Sequence, residues 1–229
     1  MNILYGYELS ILQGTLLTLE LSILSLLISM ILGLLGALGK LSGSKALYRL
    51  INAYTTIIRG IPELVLMLLF YYGGQVFINW LAESVGYEEY IDISPFIAGV
   101  ATISFIYGAY MTETFRGAFM AVPGGQLEAG VSFGMNKIQV FSRILFPQML
   151  KFALPGFGNN WLVMVKATAL VSIIGLDDMV RKASLAAGST NKPFTFYIAI
   201  AFIYLLITTV SNKGLAALEK RSNRGERKE

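Results

Sequence analysis

Glu128-Ala129-Gly130-Val131-Ser132-Phe133-Gly134, running on to Ile144-Leu145-Phe146-Pro147, is polar enough to lie outside a bilayer, yet it sits between two long apolar segments. Such a placement makes it an extramembrane loop of a chain that otherwise crosses lipid. From Pro123 to Pro147 the local chemistry predicts a helix, a stop and a second helix. Gly134 suits a left-handed C-terminal cap, and Asn136 is a good N-cap for the helix that follows. In that helix Val140, Phe141, Ile144 and Leu145 fall on one side, with Lys137, Gln139, Ser142 and Arg143 largely elsewhere. Pro147 is expected to limit its continuation. A short amphipathic helix of this kind either docks into a partner's groove by its apolar anchors or lies in the lipid interface.

Composition around the loop points the same way. Hydrophobic residues make up 55% of the chain and charged residues only 14%, with mean hydropathy +0.63. A soluble domain carries about 25% charged residues. Without cysteine there are no disulfides or thiolate metal sites; without histidine the usual general base and the commonest zinc ligand are missing. The nearest approach to a phosphate loop is Gly33-Leu34-Leu35-Gly36-Ala37-Leu38-Gly39-Lys40-Leu41. Its first glycine would have to stand at Leu34, and Leu41 replaces the magnesium-binding hydroxyl residue. No nucleotide site, metal, cofactor or catalytic residue is expected in this chain. The net charge of +4 reflects membrane sidedness rather than a nucleic-acid partner.

Five apolar stretches emerge, at about 13–39, 55–80, 93–111, 152–176 and 194–212. Each is near the ~20 residues that cross ~30 Å of hydrocarbon as a helix. They lack the alternation of barrel strands and are about twice too long for them. Residues 1–12 carry no Lys or Arg, unlike a cleavable signal peptide. One set of loops holds Lys40, Lys45, Arg49, Arg59, Arg116, Lys137, Arg143, Lys151, Lys213, Lys220, Arg221, Arg224, Arg227 and Lys228. The other holds only Arg181, Lys182 and Lys192, together with the acidic Glu83, Glu88, Glu89 and Asp92. The positive-inside rule makes the first set cytoplasmic, with the N-terminus out and the C-terminus in. The Glu128 loop is then cytoplasmic.

Polar groups within the spans are the candidates for a translocation path. Lys166 lies roughly 20 Å into the fourth span, where a lysine costs a few kcal/mol unless paired, hydrated or snorkelling. It either faces a cavity or makes an internal ion pair. Glu113 and Arg116 are spaced for same-helix pairing, as are Arg59 and Glu63. Asn159 and Asn160 open the fourth span beside the packing glycines Gly156 and Gly158. In the first span Ser25, Ser29, Gly33 and Ala37 recur every four residues, a seam for close helix approach. Its neighbour is a helix of this chain or of a partner.

The spacing Glu128-Ala129, Gly134, Ile144, Pro147 resembles the EAA loop of ABC-importer permease subunits, although Gly130 replaces the usual alanine and Phe146 the usual leucine. Residues 54–64, with Arg59-Gly60-Ile61-Pro62-Glu63, residues 110–118, Gly158-Asn159-Asn160 and Lys166-Ala167-Thr168-Ala169-Leu170-Val171-Ser172 resemble the polar amino-acid permeases, most closely the branch serving histidine, lysine, arginine and ornithine. The likeness covers about Thr15 to Arg221.

It implies an all-α integral membrane protein of five transmembrane helices with the type I importer (MetI-like) permease fold. Residues 1–229 would form a single permease domain, with the coupling loop at about 117–151. By the same resemblance Glu128, Ala129, Gly130, Gly134, Ile144 and Pro147 couple to the ATPase, and Lys166, Asn159, Asn160, Glu113 and Glu63 are path candidates. The expected partners are two ATPase subunits, on which ATP acts, a second permease that is a paralogue, a periplasmic amino-acid-binding protein and the lipid of the inner membrane. An unpaired Lys166 would repel a cationic substrate, which favours a paralogue carrying a carboxylate. An ion-coupled secondary transporter is the competing class, disfavoured by small size and the lack of an evident inverted repeat; a membrane assembly factor is the third.

Overall fold

The computed structural model describes residues 4–222, so Arg224, Arg227 and Lys228 of the cation tally lie outside the described residues. It is helical throughout. α1 (Glu8–Leu41) is followed by α2 (Lys45–Gly60), α3 (Glu63–Leu68) and α4 (Gly74–Ser84), the last two joined by a π turn at Leu69–Gly73. Then come α5 (Pro95–Met120), α6 (Gly124–Ser132), α7 (Lys137–Val140), a π turn at Phe141–Leu145 and α8 (Phe146–Ala167). A 3-10 segment (Thr168–Ile174), α9 (Met179–Thr190) and α10 (Pro193–Ser222) complete the chain.

Among the described residues five runs are long and apolar enough to span lipid: Glu8–Leu41, Glu63–Ser84, Pro95–Met120, Lys137–Ile174 and Pro193–Ser222. These are the five expected, with their boundaries shifted, most instructively in the second and the fourth. The second span starts at Glu63 rather than near 55, because Ile61 and Pro62 are extended (ψ 138° and 135°) and cut α2 off as a separate helix. A residue before proline is driven out of helical conformation by the ring. The fourth span, conversely, is not limited by Pro147. That residue sits in the first turn of α8, where a missing N–H costs little, and the π turn just before it absorbs the change of register.

Helix direction follows from the contacts. Along α1 and α5, Leu21 lies beside Gly99, Ser25 beside Ser104 and Gly33 against Met111, so their numbering rises together and the two helices are parallel. α8 and the 3-10 segment that continues it run antiparallel to them, with Val171 against Gly99 and Asn160 bonded to Thr114. α10 starts where Phe196 meets Tyr7 edge-on at 5.8 Å and ends where Leu215 covers Gly158. One end of the bundle therefore gathers the end of α1, α2, residues 121–136 and the end of α10. The other gathers residues 85–94 and 175–192. The cation-rich loops share the first end.

The small-residue seam of α1 finds its neighbour within the chain. Ser22, Ser25, Ser29, Gly33 and Ala37 are buried against α5. A Cβ at Gly33 would overlap Met111, including its backbone carbon at 2.9 Å, so nothing larger than hydrogen is accommodated.

At the opposite end Asp178 caps α9, its Oδ1 accepting from the Arg181 N–H at 2.9 Å, while Oδ2 is buried without a hydrogen-bond partner. Burial, only partly offset by the Arg181 and Val180 amides, pushes its carboxyl up to about 6. An acid whose folded value lies above its unfolded one holds its proton more tightly when folded, so stability falls as pH rises from about 4 to 6 and is flat above. The loss is on the order of 2–3 kcal/mol at ~1.4 kcal/mol per unit. Asp178→Asn keeps a capping oxygen and removes the charge. In thermal melts of detergent-solubilised protein between pH 4 and 7.5, it is expected to flatten that slope; an unchanged slope would locate the titration elsewhere.

Candidate coupling loop and intramembrane polar sites

The loop after α5 closes on itself. α6 ends with the Phe133 N–H on the Ala129 carbonyl (3.0 Å) and the Met135 N–H reaching back to Gly130 (3.1 Å). Gly134 turns the chain with φ +82°, the left-handed conformation that its position called for. Asn136 then caps α7 through a reciprocal box: its Oδ1 accepts from the Gln139 N–H at 3.0 Å, and the Gln139 Oε1 accepts from the Asn136 N–H at 2.9 Å. The two limbs touch at Gly130, where a Cβ would meet the Ile144 methyl at 2.6 Å and Val140 at 3.4 Å. Glycine in place of alanine at 130 thus admits the side chain of Ile144. Gln148 donates to Gln126 at 2.6 Å and ties the base of the loop.

This arrangement reverses the face expected to bind a partner. Val140, Ile144 and Leu145 turn inward, onto α6 and the end of α5, because the loop's own hydrophobic surface is nearest. Exposed instead are Glu128, Ala129, Val131, Ile138 and Phe133, the last at 88% exposure. Large apolar groups so exposed at an extramembrane turn mark an interaction surface. The sequence signal was available: Phe133 stands directly before a turn glycine, and Ile138 lies among polar residues off the apolar stripe.

A second constellation ties α1, α2 and α5 together near the same end. The Lys40 ammonium, its side chain 2% exposed, donates to Asn52 (3.0 Å), Thr55 (2.8 Å) and Glu113 (2.5 Å). The other Glu113 oxygen accepts from Arg116 at 3.1 Å, the same-helix pair expected from the spacing. Lys40 itself was expected in an extramembrane loop. As the last charge of a long apolar helix it is instead drawn under Tyr48, whose ring centre is 5.7 Å away. A cleft of about 360 Å³ opens beside the network, lined by Asn52, Thr55, Thr56, Arg59, Gly60 and Glu113.

The expected Arg59–Glu63 pair does not form on one helix, since the break at Ile61-Pro62 separates them. Arg59 lies over Tyr110 at 5.2 Å, and Glu63 accepts from the Tyr107 hydroxyl at 3.0 Å. Asn160 is buried between α5 and α8, donating to Thr114 at 3.0 Å. Asn159 and Lys166, by contrast, are exposed on a face of α8 with Phe152, Pro155 and Val163. Among the described residues no carboxylate pairs with Lys166, so the internal ion pair considered for it is not made.

Residues 15–224 match the family described as binding-protein-dependent transport system inner membrane component. The chain belongs to this family. It is 53% identical over 222 residues, covering 97% of both chains, to the histidine/lysine/arginine/ornithine transport system permease protein HisQ of Escherichia coli (strain K12). It is 43% identical to the nopaline transport system permease protein NocQ of Agrobacterium fabrum, covering 97% of this chain and 94% of the relative. A solved amino acid ABC transporter superposes with TM-score 0.80 at 35% identity, over 94% of this chain and 95% of that one. The MetNI methionine ABC transporter, at 16% identity and TM-score 0.69, shares the fold. The fold is thus that of the type I importer permeases, and the protein is a transport subunit of the amino-acid ABC permease class.

In this permease, removing one partner of the buried pair leaves a charge stranded. Glu113→Gln is expected to cost about 3 kcal/mol of stability, read as a lower unfolding midpoint in detergent. Lys40→Met combined with Glu113→Gln should recover most of that loss. A double variant no better than Glu113→Gln alone would mean that Lys40 does not depend on Glu113.

Proposed function

We propose that this chain is the permease subunit of an ABC importer for basic amino acids such as histidine, lysine, arginine and ornithine, placed in the inner membrane with its N-terminus outside and C-terminus inside. The observation that carries the proposal is the self-closed loop, with Glu128, Ala129, Val131, Phe133 and Ile138 turned outward on the cation-rich end of the bundle. The relatives, named for histidine/lysine/arginine/ornithine transport and for nopaline transport, support the substrate class. Hydrolysis belongs to two separate ATPase subunits, this chain having no nucleotide site of its own, and a periplasmic binding protein delivers substrate.

Coupling follows from covalent continuity. The helical run Lys137–Ile174 is unbroken from the loop into the fourth span. A displacement of the docked loop is therefore transmitted along α7 and α8 to Asn159 and Lys166. Because the two limbs meet at Gly130 and Ile144, the loop moves as one body rather than deforming. The exposed α8 face with Asn159, Val163 and Lys166 is assigned to the second permease and the path between them. Two copies of Lys166 would line that path poorly for a cation, so the second permease is a paralogue supplying a carboxylate.

The test is binding-protein-dependent uptake in vesicles containing both permeases, the ATPase and ATP. Gly134→Leu, which forces a branched side chain into left-handed backbone, and Glu128→Lys, which reverses an outward charge, should leave the chain in the membrane. Uptake should fall at least roughly ten-fold per ATP hydrolysed, the effect of about 1.4 kcal/mol of lost coupling. Unchanged uptake in both variants would remove the loop from coupling. Uptake driven by an ion gradient without ATP would favour secondary transport, and robust uptake without the second permease would establish a homodimer.

A further inference from the structure

α2 gives Asn52 and Thr55 to the Lys40 network, and the rest of its surface is built in a specific way. Its sixteen residues, Lys45–Gly60, contain no Asp or Glu, and their polar and apolar faces are sharply segregated. Ile51 and Ile58 pack onto the bundle, the former against Gly39 at the end of α1. To one side the apolar flank stays open, with Leu50 at 69% exposure and Ile57 also exposed. On the opposite side Lys45 and Arg49 are exposed, and among the described residues no carboxylate pairs with either. Glu113, the acid that Lys40 reaches, is already bonded to Lys40 and Arg116.

The tight turn at Gly43 (φ +79°) folds Lys45 back beside the end of the first span. A cleft of about 290 Å³ results, lined by Lys40, Gly43, Ser44, Lys45, Tyr48 and Arg49. Lys40 forms its floor with its three donors in use, so the free cations are Lys45 and Arg49 at the rim. A helix that exposes leucine and isoleucine on one flank and uncompensated cations on the other is suited to the headgroup layer of a membrane. Its position at the very end of a membrane-spanning helix puts it at that depth.

We propose that α2 is an in-plane helix whose Lys45–Tyr48–Arg49 cleft holds the phosphate headgroup of an acidic phospholipid, with Leu50 and Ile57 against acyl chains. Charge selects the occupant: phosphatidylglycerol carries a net negative charge that two unpaired cations attract, whereas a zwitterionic headgroup brings its own cation into the cleft. Basic pockets next to transmembrane helices recognise acidic headgroups by this chemistry. The site anchors the start of α2, and through Lys40 its occupancy bears on the network that joins α1, α2 and α5. The inference requires only that the chain is embedded in a bilayer, whatever its substrate.

The full chain in dodecyl maltoside, titrated with phosphatidylglycerol or phosphatidylethanolamine and followed by native mass spectrometry, provides the test. Phosphatidylglycerol should be retained in preference. The double variant Lys45→Ala/Arg49→Ala should bind it about thirty-fold more weakly, about five-fold per cation. Lys45→Arg/Arg49→Lys should bind as the native chain does, separating charge from any loss of folding. Lys213→Ala/Lys220→Ala, at the same end of the molecule, should also leave binding unchanged. Equal retention by the Ala pair, or equal binding of the two lipids, would overturn the proposal. Displacement of phosphatidylglycerol by millimolar inorganic phosphate would also overturn it, by identifying a small-anion site.

Discussion

The close parallel contact of α1 with α5 is the constraint on which the other features depend. Inside lipid no hydrophobic force drives helices together, so they associate where small side chains let backbones approach. Ser22, Ser25, Ser29, Gly33 and Ala37 supply that surface on α1, and Gly99 and Gly108 receive Leu21 and Leu32 on α5. The register so set brings Lys40 to Glu113 at the helix ends, which in turn captures Asn52 and Thr55 of α2. α8 then closes on the remaining side of α5 through Asn160 and Thr114.

Two of the surfaces left open in the single subunit are joined by one helical run. The outward loop residues Val131, Phe133 and Ile138 lie at one end, and the exposed stripe with Asn159, Val163 and Lys166 lies along the span that follows. Burial of the loop's own apolar side makes it a compact handle. The π turn at Phe141–Leu145 lets that handle continue past Pro147 into the membrane without a break. In the proposed coupling, force applied to the handle passes along this helical run toward Lys166.

Much of this was legible in the chain. Five spans, the left-handed Gly134 and the Asn136 cap each rest on local rules: apolar length, backbone sterics and side-chain capping. What local rules missed was tertiary. The apolar run expected as the second span begins at Thr55, inside α2, and only the geometry before Pro62 separates the two helices. The inward turn of Val140 and Ile144 depended on Gly130 in a different helix. Lys40 was misplaced for a related reason, since its three acceptors come from residues 12 to 73 positions away. Amphipathicity tells which residues share a face; it does not tell which neighbour that face will meet.

Site-specific photo-crosslinking tests the central claim, that the outward face of the α6–α7 loop is where the ATPase docks. A photoreactive residue at Phe133 or Ile138, in membranes where the chain is co-expressed with its ATPase, should crosslink to the ATPase. The same residue at Glu88, at the other end of the bundle, should not. Crosslinks to lipid alone at positions 133 and 138, or to the ATPase from position 88, would contradict the account.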